Sequence, residues 1–99
     1  MPDLLLTFHC ATRDVETVVA AIRAASQAPI HIHDIAVRGR DFSDARTAER
    51  VTGNLDRSAI ELIVADDAMT ELVRAVAESR RDLPVRWRAV PVVARGRLA

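Results

Sequence analysis

A chain of 99 residues with 14 basic and 14 acidic side chains carries no formal net charge, which excludes a long-range field drawing it onto nucleic acid or an anionic membrane. Every basic residue is Arg and tyrosine is absent, so Schiff-base lysine chemistry and a tyrosyl switch are both excluded. Cys10 is the sole cysteine, so neither an intramolecular disulfide nor a Cys-based zinc site forms within one chain.

Residues 3–10 open with an apolar run of strand length, LLLTFHC, which reads as a central strand covered on both faces. Thr12 follows as a helix cap, with Asp14 and Glu16 at the positive helix end. Val15, Val18, Val19 and Ile22 recur at helical spacing, and Pro29 ends the segment. Residues 30–37, IHIHDIAV, form a second strand whose alternation slips by one at His33-Asp34. The slip predicts a bulge or a polar centre.

Residues 38–57 then separate two strand patterns, although a two-residue turn would reverse the chain. Connections this long are functional or disordered more often than structural. The segment is charge-dense yet nearly neutral, and residues 43–51 fit a short helix closed by Thr52-Gly53. It reads as a partner-binding loop, with Phe42, Asp44, Arg46, Glu49 and Arg50 as its contact residues.

Residues 55–65 alternate as a third strand, Asp66 or Asp67 caps a second helix with a Met69, Leu72, Val73 and Val76 stripe, and Arg80, Arg81 and Pro84 close it. A last strand runs from 85 to about 93, where Pro91 argues for an edge or a bulge. The order β-α-β-loop-β-α-β predicts an α+β, ferredoxin-like fold, with a four-stranded antiparallel sheet and two helices on one face. Two helices leave the other face bare, and it would carry Leu5, Thr7, His9, Ala59, Glu61, Ile63, Arg86 and Arg88. That mixture is too apolar to stay fully solvated, so burial between subunits is expected. A domain of this size buries roughly two-thirds of its unfolded surface, so assembly would supplement a thin core.

Two RGR triplets give an anion-site expectation. Arg38 and Arg40 flank Gly39, Arg95 and Arg97 flank Gly96, and guanidinium pairs on one side of an extended chain suit phosphate or carboxylate oxygens. Their bland alternative is a solvated strand end with ion pairs to Asp41 or Asp44. Arg86 and Arg88 fit structural pairing with Glu61 better than ligand binding. A metal alternative rests on His31 and His33, which share a strand face, with His9 or Asp34 as a third ligand. Copper or zinc suits those imidazoles, with the Cys10 thiol adding softness if the strand end allows it. No Ser-His-Asp order, cleft acidic pair or HExxH string is present, and adjacent His9 and Cys10 diverge on a strand, so the chain is not expected to be an enzyme. Three aromatic residues are too few for the stacking platforms of single-stranded nucleic acid binders.

The run VRGRDFSDARTAERVTGNLDRSAIELIV, followed by a helix and WRAVPVVARGRLA, resembles the PII signalling superfamily and, more narrowly, uncharacterised PII-like proteins often encoded beside heavy-metal efflux pumps of the resistance-nodulation-division type. The likeness covers nearly the whole chain, and Val51-Thr52-Gly53 and the terminal PVVARGRL carry most of it. It implies a cytoplasmic homotrimer with ligand sites in clefts between subunits and a loop that contacts a regulated partner, such as a membrane transporter. PII proteins bind adenine nucleotides in that cleft. Arg95-Gly96-Arg97 is similar in position to the C-terminal arginines that contact the nucleotide phosphates. The tyrosine of the PII loop, a lysine near the phosphates and a Gly-rich segment before the last strand have no counterpart here.

Overall fold

The computed structural model describes residues 2–38 and 55–99. Its elements are β1 Asp3–Ala11, a 3₁₀ turn Thr12–Asp14, α1 Val15–Ala25, β2 His31–Val37, β3 Leu55–Ala65, a second 3₁₀ turn Asp66–Ala68, α2 Met69–Ala77 and β4 Arg86–Val92. The four strands lie in the order β2-β3-β1-β4, and every neighbouring pair is antiparallel. This is the ferredoxin-like α+β arrangement, with the two β-α-β halves interleaved so that β1 and β3 hold the centre.

Period-two alternation on the central strands sets one face against the helices. Leu6, Phe8 and Cys10 from β1 and Ile60, Leu62 and Val64 from β3 point there and are buried. Val18 and Ile22 of α1 and Leu72 and Val76 of α2 complete the core, with Val15, Val19, Met69 and Val73 packed at its margin. Each fully buried aliphatic or aromatic side chain stabilises by roughly 1.5–3 kcal/mol, so this layer is the main source of stability.

Several local expectations are corrected. β2 pairs with β3 in unbroken register from His31↔Glu61 to Val37↔Leu55, so there is no bulge at His33-Asp34. The slip is instead a polar centre: Asp34 occupies the helix-side phase opposite Ser58 and accepts a 2.9 Å hydrogen bond from its hydroxyl. Ile35 and Val37 therefore turn to the bare face. Neither helix has a side-chain cap at its N-terminus. The Thr12 hydroxyl lies 3.1 Å from both Asp56 Oδ1 and Ser58 Oγ, and the Asp66–Ala68 turn likewise begins without a side-chain cap.

Helix termination falls to two arginines. Arg23 donates to the carbonyls of Ser26 and Ala28 as the chain leaves α1, ahead of Pro29. Arg81 reaches back over the end of α2, where Nη2 donates to the Val76 and Ala77 carbonyls at 3.1 and 3.2 Å, while Nη1 donates to Leu83. This satisfies carbonyls left open by the last helical turn and places the cation at the negative helix end. β4 is an edge strand, and Pro91 sits within it opposite Leu4, where a missing N–H is tolerated.

Candidate functional site

On the face without helices, the pairing registers build rows of side chains across the sheet. One row runs His31, Glu61, Thr7, Arg88, and the next runs His33, Ala59, His9, Arg86. Leu5 lies between Ile63 and Val90 in the row beside the first. The bare face is therefore apolar at one end and titratable through its middle. Val90 on this face is 42% exposed, while Trp87, 47% exposed, stands on the helix-side phase opposite Phe8 at the β4 edge.

Glu61 is the acidic centre. Thr7 Oγ1 donates to its Oε2 at 3.4 Å, and His33 Nδ1 stands 3.6 Å from Oε1. The second distance is too long for a direct hydrogen bond, but attraction follows when the imidazole is protonated. His9 is held below its ordinary pKa first by burial and then by the positive field of Arg88. Glu61 opposes that shift and His33 adds to it. Neutral imidazole is therefore the favoured state of His9 at pH 7.

At the apolar end the C-terminal tail crosses the sheet. Arg95 Nε donates to Asp3 Oδ2 at 3.1 Å, an exposed pair of small energetic value. Arg95, Gly96 and Arg97 line a cleft of about 560 Å³ together with Leu5, Pro29, His31, Glu61, Leu62 and Ile63. A Cβ built on Gly96 meets nothing within 4 Å, so the glycine between the two arginines is not required by crowding. The cleft combines apolar walls, two guanidinium-bearing residues, an imidazole and a carboxylate, which is a lining suited to a small anionic molecule.

The other expected anion-site residue within the described chain, Arg38, follows the far end of β2 and is exposed. Six residue steps along a strand separate His31 from Val37, roughly 20 Å, so the Arg38 end and the Arg95–Arg97 cleft lie at opposite ends of the sheet in one chain. Gly39 and Arg40 lie outside the described residues, as do Phe42, Asp44, Arg46, Glu49 and Arg50 of the expected partner loop. His31 and His33 do share the bare face, and His9 occupies the row of His33 with Ala59 between them. Among the described residues, no group of three or more His, Cys, Asp or Glu side chains is gathered for a metal ion. Cys10 faces the helices, away from all three histidines; burial and then the Asp14 charge push its thiol up to about 11.

Asp14 was not legible as a key residue. It is 5% exposed, and its two carboxylate oxygens each accept at 3.3 Å from the backbone N–H of Asp82 and Leu83. A 3₁₀ turn of the first half thereby holds the connection that leads into β4. Arg57, 4% exposed, is a second buried ion; Nη1 donates to the Asp56 carbonyl at 2.9 Å. An Arg inside an otherwise regular strand, on the phase of Ala59 and Glu61, was the available signal for it.

The fold is ferredoxin-like, and several solved structures share it. A crystal structure of a DUF3240 family protein from Shewanella baltica superposes with a TM-score of 0.75 at 14% identity, covering 100% of this chain and 99% of that one. Arabidopsis thaliana PII bound to citrate gives 0.69 at 11% identity, with 92% and 78% covered. A putative PII-like signaling protein from Thermus thermophilus gives 0.58 at 16% identity, with 94% and 91% covered. No curated protein matches the chain. Residues 2–99 match the family described as "Protein of unknown function (DUF3240)", and the chain belongs to that family. Among the described residues no helix is long and apolar enough to cross a membrane.

Proposed function

We propose that this chain is a PII-like regulatory module, a binding protein rather than an enzyme, that takes a small anionic effector in the tail cleft. The observation that carries the proposal is the meeting of Arg95, Gly96 and Arg97 with His31 and Glu61 around that cleft. Burial of the bare face between subunits, as a homotrimer, would cover Leu5, Ile63 and Val90 and would bring the Arg38 end of one subunit toward the cleft of another. The 38–57 segment would then contact the regulated partner, a transporter for heavy-metal efflux on the family resemblance. The PII neighbour bound to citrate fits the ligand class, a small polyanion. Adenine nucleotides fit the same chemistry, because guanidinium forks pair with either carboxylate or phosphate.

The test is a thermal-shift panel of ATP, ADP, AMP and citrate, with light scattering to fix the assembly mass. A ligand that binds only the folded state raises Tm by mass action, with about 2.7 kcal/mol of stabilisation at a hundredfold excess over Kd. An effector that stabilises the wild type but not Arg95→Ala or Arg97→Ala supports the cleft. Equal stabilisation of all three proteins would place the ligand elsewhere, and a monomeric mass would remove the subunit arrangement.

A further inference from the structure

The tail cleft carries more chemistry than a plain anion needs. Its lining holds two guanidinium-bearing residues, Arg95 and Arg97, one carboxylate, Glu61, and apolar side chains that include Leu5 and Ile63. Arg97 makes no hydrogen bond or ion pair among the described residues. Arg95 gives its Nε to Asp3, which leaves its two Nη nitrogens to a ligand.

Glu61 is the residue that narrows the ligand. A polyanion drawn in by the arginines would set its own charge against this carboxylate, and like charges at close range oppose one another. The Glu61 side chain is 26% exposed, so it is reachable. Thr7 donates to Oε2 at 3.4 Å, and His33 Nδ1 stands 3.6 Å from Oε1. A carboxylate has about four lone-pair sites, so further donors can be accepted. A lining of two cationic groups and one anionic group is matched by a ligand of two anionic groups and one cationic group, joined by a short apolar stem.

We propose that the effector of the tail cleft is an acidic α-amino acid, aspartate or glutamate. Arg95 and Arg97 take its two carboxylates, Glu61 accepts from its ammonium, and Leu5 and Ile63 pack on its methylenes. Three charged contacts fix three points of the ligand, so the site distinguishes enantiomers. The inference rests on the reading of the cleft as an effector site and narrows that reading to one ligand class.

The experiment is isothermal titration calorimetry of the full chain at pH 7.5 and fixed ionic strength. L-Glutamate and L-aspartate are each compared with the D enantiomer and with the diacid that lacks the amine, glutarate or succinate; citrate and ATP are run beside them. One amino acid should bind at least about tenfold more tightly than its diacid, because the diacid forgoes a hydrogen bond between charged groups. Its two enantiomers should differ at least fivefold. Glu61→Gln should reduce the preference over the diacid to less than threefold, and Arg97→Gln should weaken amino acid and diacid alike by at least tenfold. The wild-type comparison needs no variant, so it decides the case if Glu61→Gln fails to fold. Binding of a diacid, citrate or ATP that Arg97→Gln abolishes, with neither amino acid tighter than its diacid, would overturn the amino-acid assignment and leave the anion cleft standing. A preference for the amino acid that survives in Glu61→Gln would do the same. No binding of any probe, or binding untouched by Arg97→Gln, would overturn both.

Discussion

Replacing Asp14 with alanine should destabilise the protein by about 2 kcal/mol, a large effect for one polar side chain. The carboxylate is 5% exposed and accepts two backbone N–H groups, both at 3.3 Å. Hydrogen bonds to charged acceptors contribute about 1.5–3 kcal/mol, but these two are long, so about 1 kcal/mol each is the appropriate figure. For a domain of this size that sum lowers Tm by roughly 8–16 °C. The built-in control is Asp82→Ala, which removes the 2.6 Å contact with Arg13 but keeps the Asp82 amide. Both partners of that pair are more than half exposed, so its loss should cost no more than about 0.5 kcal/mol. Urea unfolding at one fixed protein concentration measures both variants. If Asp14→Ala unfolds within 0.5 kcal/mol of wild type, or no earlier than Asp82→Ala, burial does not rank these interactions and the argument fails.

The Cys10 thiol, pushed up to about 11, should resist a thiol reagent at pH 8 in the native protein and react at once in denaturant; rapid native labelling would contradict its placement. Because its folded pKa lies above the ordinary thiol value of 9.0, unfolding releases a proton between about pH 9 and 11, so stability should fall across that window. His9 has the opposite sign: its folded pKa lies below 6.5, so its contribution is intact above 6.5 and is lost as pH falls through the folded value. An NMR titration should find its midpoint below 6.5, and Arg88→Gln should restore only part of the difference, because burial is the larger cause. Phe8→Ala should cost about 3–5 kcal/mol, since Phe8 is 0% exposed. Val93→Ala, at a residue 99% exposed, should be silent in the same chemical melt.

The central strands were legible because their signals are local. Residues 55–65 alternate without interruption and form β3 over that span, and the eight residues assigned to the bare face fall there by register. Both helical stripes are likewise the faces that pack on the core. What the sequence concealed depends on partners far along the chain. Thr12 looks like a cap by its neighbours, yet its hydroxyl meets Asp56 and Ser58, 44 and 46 positions away. Asp14 looks like a helix-dipole acid, yet it binds amides 68 and 69 positions away. Local propensity assigns such residues to the nearest helix end, while tertiary packing offers them a better-desolvated partner. The tail cleft was half visible, for the Arg95–Arg97 triplet stood out by composition, whereas His31, Glu61 and Leu5 joined it only through the sheet order.

The hydroxyl and carboxylate contacts among Thr12, Asp34, Asp56 and Ser58 have a mechanical consequence. Asp34 belongs to β2, the stem that leads into the connection between the strands, Asp56 and Ser58 to β3, the stem that follows it, and Thr12 to the turn before α1. Load applied between the two stems would fall first on the β2–β3 backbone ladder from Val37↔Leu55 inward and then on these polar side-chain contacts, rather than on the aliphatic layer beneath. Ser58 is wholly buried, so it acts as the pin of this coupling: a pull that frees Asp34 reaches the start of α1 within two hydrogen bonds. Force or binding energy delivered at the stems would thus be passed to a helix end while the core stays closed.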